Sequence, residues 1–360
     1  MSDNFFGLSR KDRRELLEST SVASGMPSAV LEKDIWVVWC LKILFNSVIA
    51  DSLVFKGGTS LTKAFLGLIQ RFSEDVDLAC VFRDFASALM GNPSIEEQLV
   101  RGRMMFSPAE VREHLETWVA QKAAPILAEE LAKTEPRGIV KISERRIFLS
   151  YHSFTPSHPY IRKAVKLEFS PCASREQSRP MPIECDLARQ YGNLILPEAT
   201  PNVMAVERTF MEKVSAMHAF CMRGRLRRSR FSRHAYDLAQ LEAHGVAAKA
   251  IADRPLLEAV GRQLGMFYRQ KDRDGNFIDF LDVVDSGRAR IVPDAEARND
   301  LELDYRQMIE SGFVYGPTKP FGELMEICSR IERLVNEAPK PEPLARPEPE
   351  SDAGGPNFSF

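Results

Sequence analysis

Two aspartates two residues apart, Asp75 and Asp77, sit in an otherwise apolar run of Val76, Leu78, Ala79, Cys80 and Val81. Side chains two apart on a strand share a face, so both carboxylates can point at one spot. Strands disfavour aspartate, and like charges held together are unfavourable unless a cation joins them. A divalent ion, Mg²⁺ (or Mn²⁺), answers both objections. The competing reading is a solvated edge-strand pair, or an N-cap with a salt bridge to Arg71. Just upstream runs Phe55-Lys56-Gly57-Gly58-Thr59-Ser60-Leu61-Thr62-Lys63. It reads as a strand, a glycine turn and a helix start. Glycine allows close backbone approach to a phosphate, and a helix N-terminus offers free N–H groups with partial positive charge. Lys56, Lys63 and Ser73 add polar groups nearby. The GxxxxGK spacing of a P-loop is absent. Turn and acid pair together are what metal-dependent nucleotidyl transfer from an NTP requires.

Other chemistry-bearing residues are more dispersed. Glu168 lies mid-strand in Lys166-Leu167-Glu168-Phe169, and Asp186 lies in a shorter extended run. Arg223, Arg225, Arg227, Arg228, Arg230 and Arg233 fall within eleven residues of a chain whose formal net charge is only −2. A charge run is ordinarily a solvated surface; this one is read as a phosphate-contacting loop facing RNA backbone or nucleotide phosphates. The six histidines show no metal-ligand spacing, although His218 and His234 flank the late motifs. The six cysteines form no CxxC pair, which argues against a zinc site and a disulfide framework and favours a reducing, cytoplasmic setting.

The elements that must position these groups follow from periodicity and breakers. Helices are expected over 8–21, from Pro27 to Phe45, over 59–69 and within 93–134. Strands are expected over 52–56, 76–81, 139–143, 147–151, 165–169 and 183–187. From about residue 201 the pattern turns helical, with helices over 206–221, 232–244, 255–269, 297–311 and 321–336. The last stretch, 338–360, is rich in Pro, Glu, Ala and Gly and cannot bury enough apolar surface to offset its ordering entropy. The chain has 360 residues, 44% hydrophobic and 27% charged, which suits a soluble protein with a sizeable core. No apolar run reaches the ~18 residues that a membrane span needs, and the N-terminus lacks a signal-peptide pattern.

The glycine turn and the Asp-x-Asp pair resemble those of the DNA-polymerase-β-like nucleotidyltransferases. The fuller wording, Lys56-Gly57-Gly58-Thr59-Ser60-Leu61 with Arg71-Phe72-Ser73-Glu74-Asp75-Val76-Asp77-Leu78, is similar to the AbiEii/AbiGii-type nucleotidyltransferase toxins of bacterial toxin–antitoxin and abortive-infection systems. Glu32-Lys33-Asp34-Ile35-Trp36-Val37 resembles that family's upstream helix. Thr209 to Met217, around Lys213, and Ser232 to Leu238, around Asp237, resemble its two later motifs. The resemblance implies that Lys213 binds the triphosphate and that Asp237 belongs to the active site. It also implies a third acid from a neighbouring strand, for which Glu168 is the candidate and Asp186 the competitor. The implied fold is α+β (mixed α/β): a nucleotidyltransferase core with a small mixed sheet flanked by helices over 1–200, a helical C-terminal half over 201–337 that completes the site, and a disordered tail over 338–360. The implied activity is NMP transfer to RNA, with the tRNA 3′ end as acceptor, in a toxin neutralised by a cognate antitoxin. A protein hydroxyl, a small molecule, or silent RNA or partner binding are the alternatives.

Overall fold

The computed structural model describes residues 3–86, 108–156, 161–172, 175, 177–191, 194–226, 230–268, 270–281, 287–312 and 314–338. All but the first residue of the expected tail over 338–360, the early part of the 93–134 helical segment, and Arg227 and Arg228 lie outside them. The fold is mixed α+β, as expected. Its frame is a seven-stranded sheet of β1 (Leu53–Lys56), β2 (Val76–Val81), β3 (Ile139–Ser143), β4 (Arg146–Ser150), β5 (Ala164–Cys172), β6 (Ser178–Pro180) and β7 (Asn202–Met204). The order across the sheet is β3-β4-β5-β2-β1-β7-β6. Strand β2 is parallel to β5 and β7 is parallel to β1, while the other neighbours are antiparallel. The last two strands have only three residues each. That is too short for a readable alternation, and β6 ends in Pro180, which an edge tolerates.

The period of two sorts the sheet's side chains. Phe55, Val76, Leu78, Cys80, Leu167 and Phe169 fall on one face. There they join one core with α1 (Arg10–Ser24) and α2 (Ser28–Phe45). Val54, Ala79, Val81, Cys172 and Met204 form a small apolar cluster on the other face. Farther along that same face the register lines up charges: Lys56 opposite Asp77, Asp77 opposite Glu168, and Glu168 opposite Arg146. A row of ionisable groups across four adjacent strands is what remains where the apolar cluster stops.

Helix boundaries follow local chemistry. Ser9 caps α1, its hydroxyl accepting from the Asp12 N–H. Helix α3 (Gly57–Ala64) starts earlier than expected, and Gly67 at φ +86° has already turned the chain where 59–69 anticipated helix. A short helix α4 (Phe82–Phe85) follows β2. Helix α5 (Pro108–Trp118) continues through a π-helical stretch, Val119–Ala123, into α6 (Ala124–Thr134). Pro125 lacks an N–H and crowds the preceding turn, and the wider winding accommodates it. The strand expected over 183–187 shrinks to Ile183–Glu184, which pairs with Glu198–Ala199 outside the main sheet. The chain turns there because the Asp186 N–H donates to Asp34 Oδ2 at 2.6 Å. The C-terminal helices are α7 (Val206–Arg223), α8 (Arg233–Ala243), α9 (Val246–Ala252), α10 (Arg254–Phe267), α11 (Ala295–Glu310) and α12 (Phe321–Asn336). They share a second core that reaches back to Leu61 and Ile69. Among the described residues no helix is long and apolar enough to cross a membrane.

Candidate active site

A cleft of about 300 Å³ opens where the charged end of the sheet meets α7 and α8. The β1–α3 turn forms one lip. Gly57 takes φ +82°, and a Cβ on it would strike the Asp77 carboxylate. A Cβ on Gly58 would lie 2.7 Å from Arg71 Nη2 and 2.9 Å from Ser73 Oγ. The glycines therefore make room for the side chains that cross them as well as exposing backbone. Asp75 and Asp77 line the cleft beside this turn. Burial, and then the nearby Asp75 and Glu168 charges, push the Asp77 pKa up to about 7.

This carboxylate end already gathers a cation. Lys166 Nζ lies 3.0 Å from Asp75 Oδ2 and 3.0 Å from Glu168 Oε2. Among the described residues no group of three or more His, Cys, Asp and Glu forms a ready metal cage. A carboxylate pair completed by substrate phosphates is nevertheless how Mg²⁺ is commonly held. The mutual repulsion around Asp77, relieved by an ammonium next door, fits a divalent ion at this end.

The opposite end is cationic, and helical spacing builds it. Thr209, Glu212 and Lys213 lie three and four residues apart on α7, and Arg233 and Asp237 lie four apart on α8. Asp237 is fully buried and accepts two bonds from Arg71, Nε to Oδ1 and Nη2 to Oδ2, each at 2.7 Å. Lys213 Nζ reaches the same carboxylate at 2.8 Å. Burial opposes the Asp237 charge, but Arg71 and Lys213 outweigh it and hold the pKa far below the ordinary value. Lys56 is tied to Glu212 at 2.6 Å, and Arg230 to Glu74 at 2.9 Å. Arg233 lines the cleft with no ion-pair or hydrogen-bond partner among the described residues. Burial, then Arg71 and Arg230, pull its pKa down to about 10. His234 is held neutral, lowered to about 3 by burial and then Lys213.

The cleft thus brings together Lys56, Gly57, Gly58, Ser73, Asp75, Asp77, Lys213, Arg230 and Arg233 from distant parts of the chain, with Asp237 and Glu168 directly behind. Several expected residues lie elsewhere. Lys63 does not face the turn: its ammonium is buried between Asp34, at 2.7 Å, and Asp186, at 3.1 Å. Six residues into α3, it has rotated toward the core. The same contact takes Asp186 away from the acid pair. Thr59 and Ser60 are buried, and their hydroxyls serve the fold. Thr59 Oγ1 donates to the Asp75 carbonyl and bonds the Ser73 hydroxyl, and Ser60 Oγ donates to the Gly57 carbonyl. Arg223 bonds Gln270, Arg225 is exposed at the surface, and His218 accepts from the Arg290 N–H. Sequence reasoning missed Arg71, Glu212 and Lys166 as parts of the site. Arg71 and Glu212 lie inside the quoted motifs, so their position was the available signal.

A mixed sheet whose glycine turn and acid pair open onto a cation-lined cleft defines a nucleotidyltransferase-type protein. A family model described as nucleotidyl transferase AbiEii toxin, type IV TA system, matches residues 39–327, and the chain belongs to that family. Among solved structures it is similar to the nucleotidyltransferase toxin MenT4 from Mycobacterium tuberculosis H37Rv, with 18% identity, 91% of this chain and 98% of that chain covered, and a TM-score of 0.38. It is also similar to JHP933 from Helicobacter pylori, with 14% identity, 85% and 90% coverage, and a TM-score of 0.36. Among curated proteins the chain finds no match.

Proposed function

We propose that this nucleotidyltransferase toxin transfers NMP from an NTP to an RNA hydroxyl, with the tRNA 3′ end as acceptor, and releases pyrophosphate. The observation that carries this reading is the polarity of the cleft: Asp75 and Asp77 at one end of a glycine turn, Lys213, Arg71 and Arg233 at the other. In this reading residues 1–200 supply the turn and the acids, and 201–337 close the cleft with α7 and α8. Mg²⁺ (or Mn²⁺) on Asp75 and Asp77, with Glu168 as third acid, would neutralise charge on the phosphate oxygens when bound. The Gly57–Gly58 backbone and the α3 N-terminus receive the phosphate chain. Lys213 steadies it as a compact point charge, and Asp237 fixes where that charge sits. Charge placed before the reaction, together with alignment of the acceptor hydroxyl, supplies the acceleration.

The family implies a cognate antitoxin as partner. Six buried, unpaired cysteines suit a cytoplasmic setting. The deciding experiment incubates purified protein with each labelled NTP, Mg²⁺ and total tRNA. Label in RNA supports the proposal. Label only in a protein or a small molecule moves the acceptor class, and no label in any acceptor points to a silent binding protein. Asp75→Ala should abolish both transfer and growth inhibition while leaving a folded protein. A toxic Asp75→Ala variant would refute the role given to the acid pair.

A further inference from the structure

The arginine-rich segment divides in the structure, and Arg233 goes to the inside. Every other cation of the cleft's inner wall is already matched to an acid: Arg71 and Lys213 to Asp237, Lys56 to Glu212. Arg233 has no such match among the described residues, and the charges acting most on it include two further arginines, Arg71 and Arg230. A half-buried guanidinium among like charges is unfavourable unless an anion arrives. Beside it, His234 Nδ1 is buried without a partner. A buried ring nitrogen without a partner, beside a guanidinium without an acid, points to a ligand that binds there.

The size and layout of the cleft decide which anion. About 300 Å³ is at the small end for ligand pockets, suited to a phosphate chain rather than a nucleic-acid strand. Arg233 lies one helical turn before Asp237 on α8, and Asp237 holds Arg71 and Lys213, whereas Lys166 is the cation held between Asp75 and Glu168. Arg233 therefore belongs to the end away from the acid pair. We propose that Arg233, beside Lys213 and the Asp237-anchored Arg71, seats the β- and γ-phosphates of the NTP and so the departing pyrophosphate, and does not contact nucleic acid. This rests on the nucleotidyl-transfer reading above. As the bond from the acceptor oxygen to the α-phosphorus forms, the bond from that phosphorus to the bridging oxygen breaks. The electron pair leaves on pyrophosphate, where the guanidinium meets it, and the acceptor hydroxyl's proton is released to water.

The test measures binding of inorganic pyrophosphate, each NTP and each NMP to wild type, Arg233→Gln and Arg233→Lys, together with the KM for tRNA. Arg233→Gln should weaken pyrophosphate and NTP binding by about tenfold or more, with NMP binding and tRNA KM within about twofold of wild type. Arg233→Lys should recover part of the loss. The ligand-free Gln variant should melt no lower than wild type, because Arg233 has no partner to lose, and this separates binding from folding. If Arg233→Gln binds pyrophosphate like wild type, or loses only tRNA affinity, the clamp is wrong while nucleotidyl transfer stands. If wild type binds no NTP, the transfer reading falls and takes the clamp with it.

Discussion

A single carboxylate, that of Asp237, holds two cations in place in a water-excluded wall. Removing one member of such a group leaves uncompensated charge, which costs far more than the net value of the pair. Asp237→Asn keeps the shape but strands Arg71 and Lys213, so a loss of about 3–5 kcal/mol at neutral pH is expected. The pH dependence has a definite sign. A carboxylate whose folded pKa is depressed contributes stability that is complete above its unfolded value of 3.8 and is lost as the pH falls toward the depressed one. The gap between wild type and Asp237→Asn, read by urea denaturation, should be constant above about pH 5 and narrow steadily below pH 4. A gap that holds from pH 7 to pH 2 would sink the linkage. Asp75 and Asp77 were legible in the sequence because two residues on one strand need no tertiary knowledge. Arg71 and Asp237, 166 residues apart, carry no local sign of each other. Lys63 misled for the converse reason: proximity in sequence to the glycine turn says nothing about which way a helix has rotated.

At the scale of elements, α2 does the positioning from behind. It is buried on nearly every side, and three consecutive charged residues in it each tie down a different segment. Glu32 accepts from Ser153 Oγ at 2.6 Å, the Phe154 N–H at 2.8 Å and Thr155 Oγ1 at 2.7 Å. Lys33 donates to the Arg162 and Ala164 carbonyls, and Asp34 takes Lys63. Arg162 and Ala164 lead into β5, the strand that carries Lys166 and Glu168. The motif Glu32-Lys33-Asp34 was legible as part of a family resemblance, and its structural work was not. Apolar periodicity marks a buried helix but does not tell which buried charges have found partners. Glu32→Ala leaves two hydroxyls and one N–H without their acceptor. It should cost about 2–4 kcal/mol, since hydrogen bonds to a charged group are worth about 1.5–3 each and partly recover with water. Hydrogen exchange at the Phe154 amide should accelerate before global unfolding does. Unchanged exchange there would mean that the 153–155 segment is held by something other than Glu32.

For the whole molecule, the distribution of charge matters more than its sum. A formal net charge of −2 over 360 residues gives no general attraction to a polyanion, so the proposed RNA acceptor would have to be held by local cations. The inner cations are committed to the cleft, whereas Arg225 is exposed on the stretch between α7 and α8. In the proposed function Arg225, with its sequence neighbours Arg227 and Arg228, is assigned to the acceptor. Each phosphate contact on single-stranded nucleic acid contributes about 0.7 to the slope of log affinity against log salt. Replacing all three with Ala should reduce the slope for tRNA by about 2, and weaken binding most at low salt. The same triple variant should bind NTP and pyrophosphate as wild type does, because the cleft's phosphate-facing cations, Lys213 and Arg233, are kept and Arg225 does not line it. An unaltered salt slope would take the run off the RNA path. A lost NTP affinity would mean instead that the run folds over the cleft mouth, and that nucleotide and acceptor compete for the same arginines.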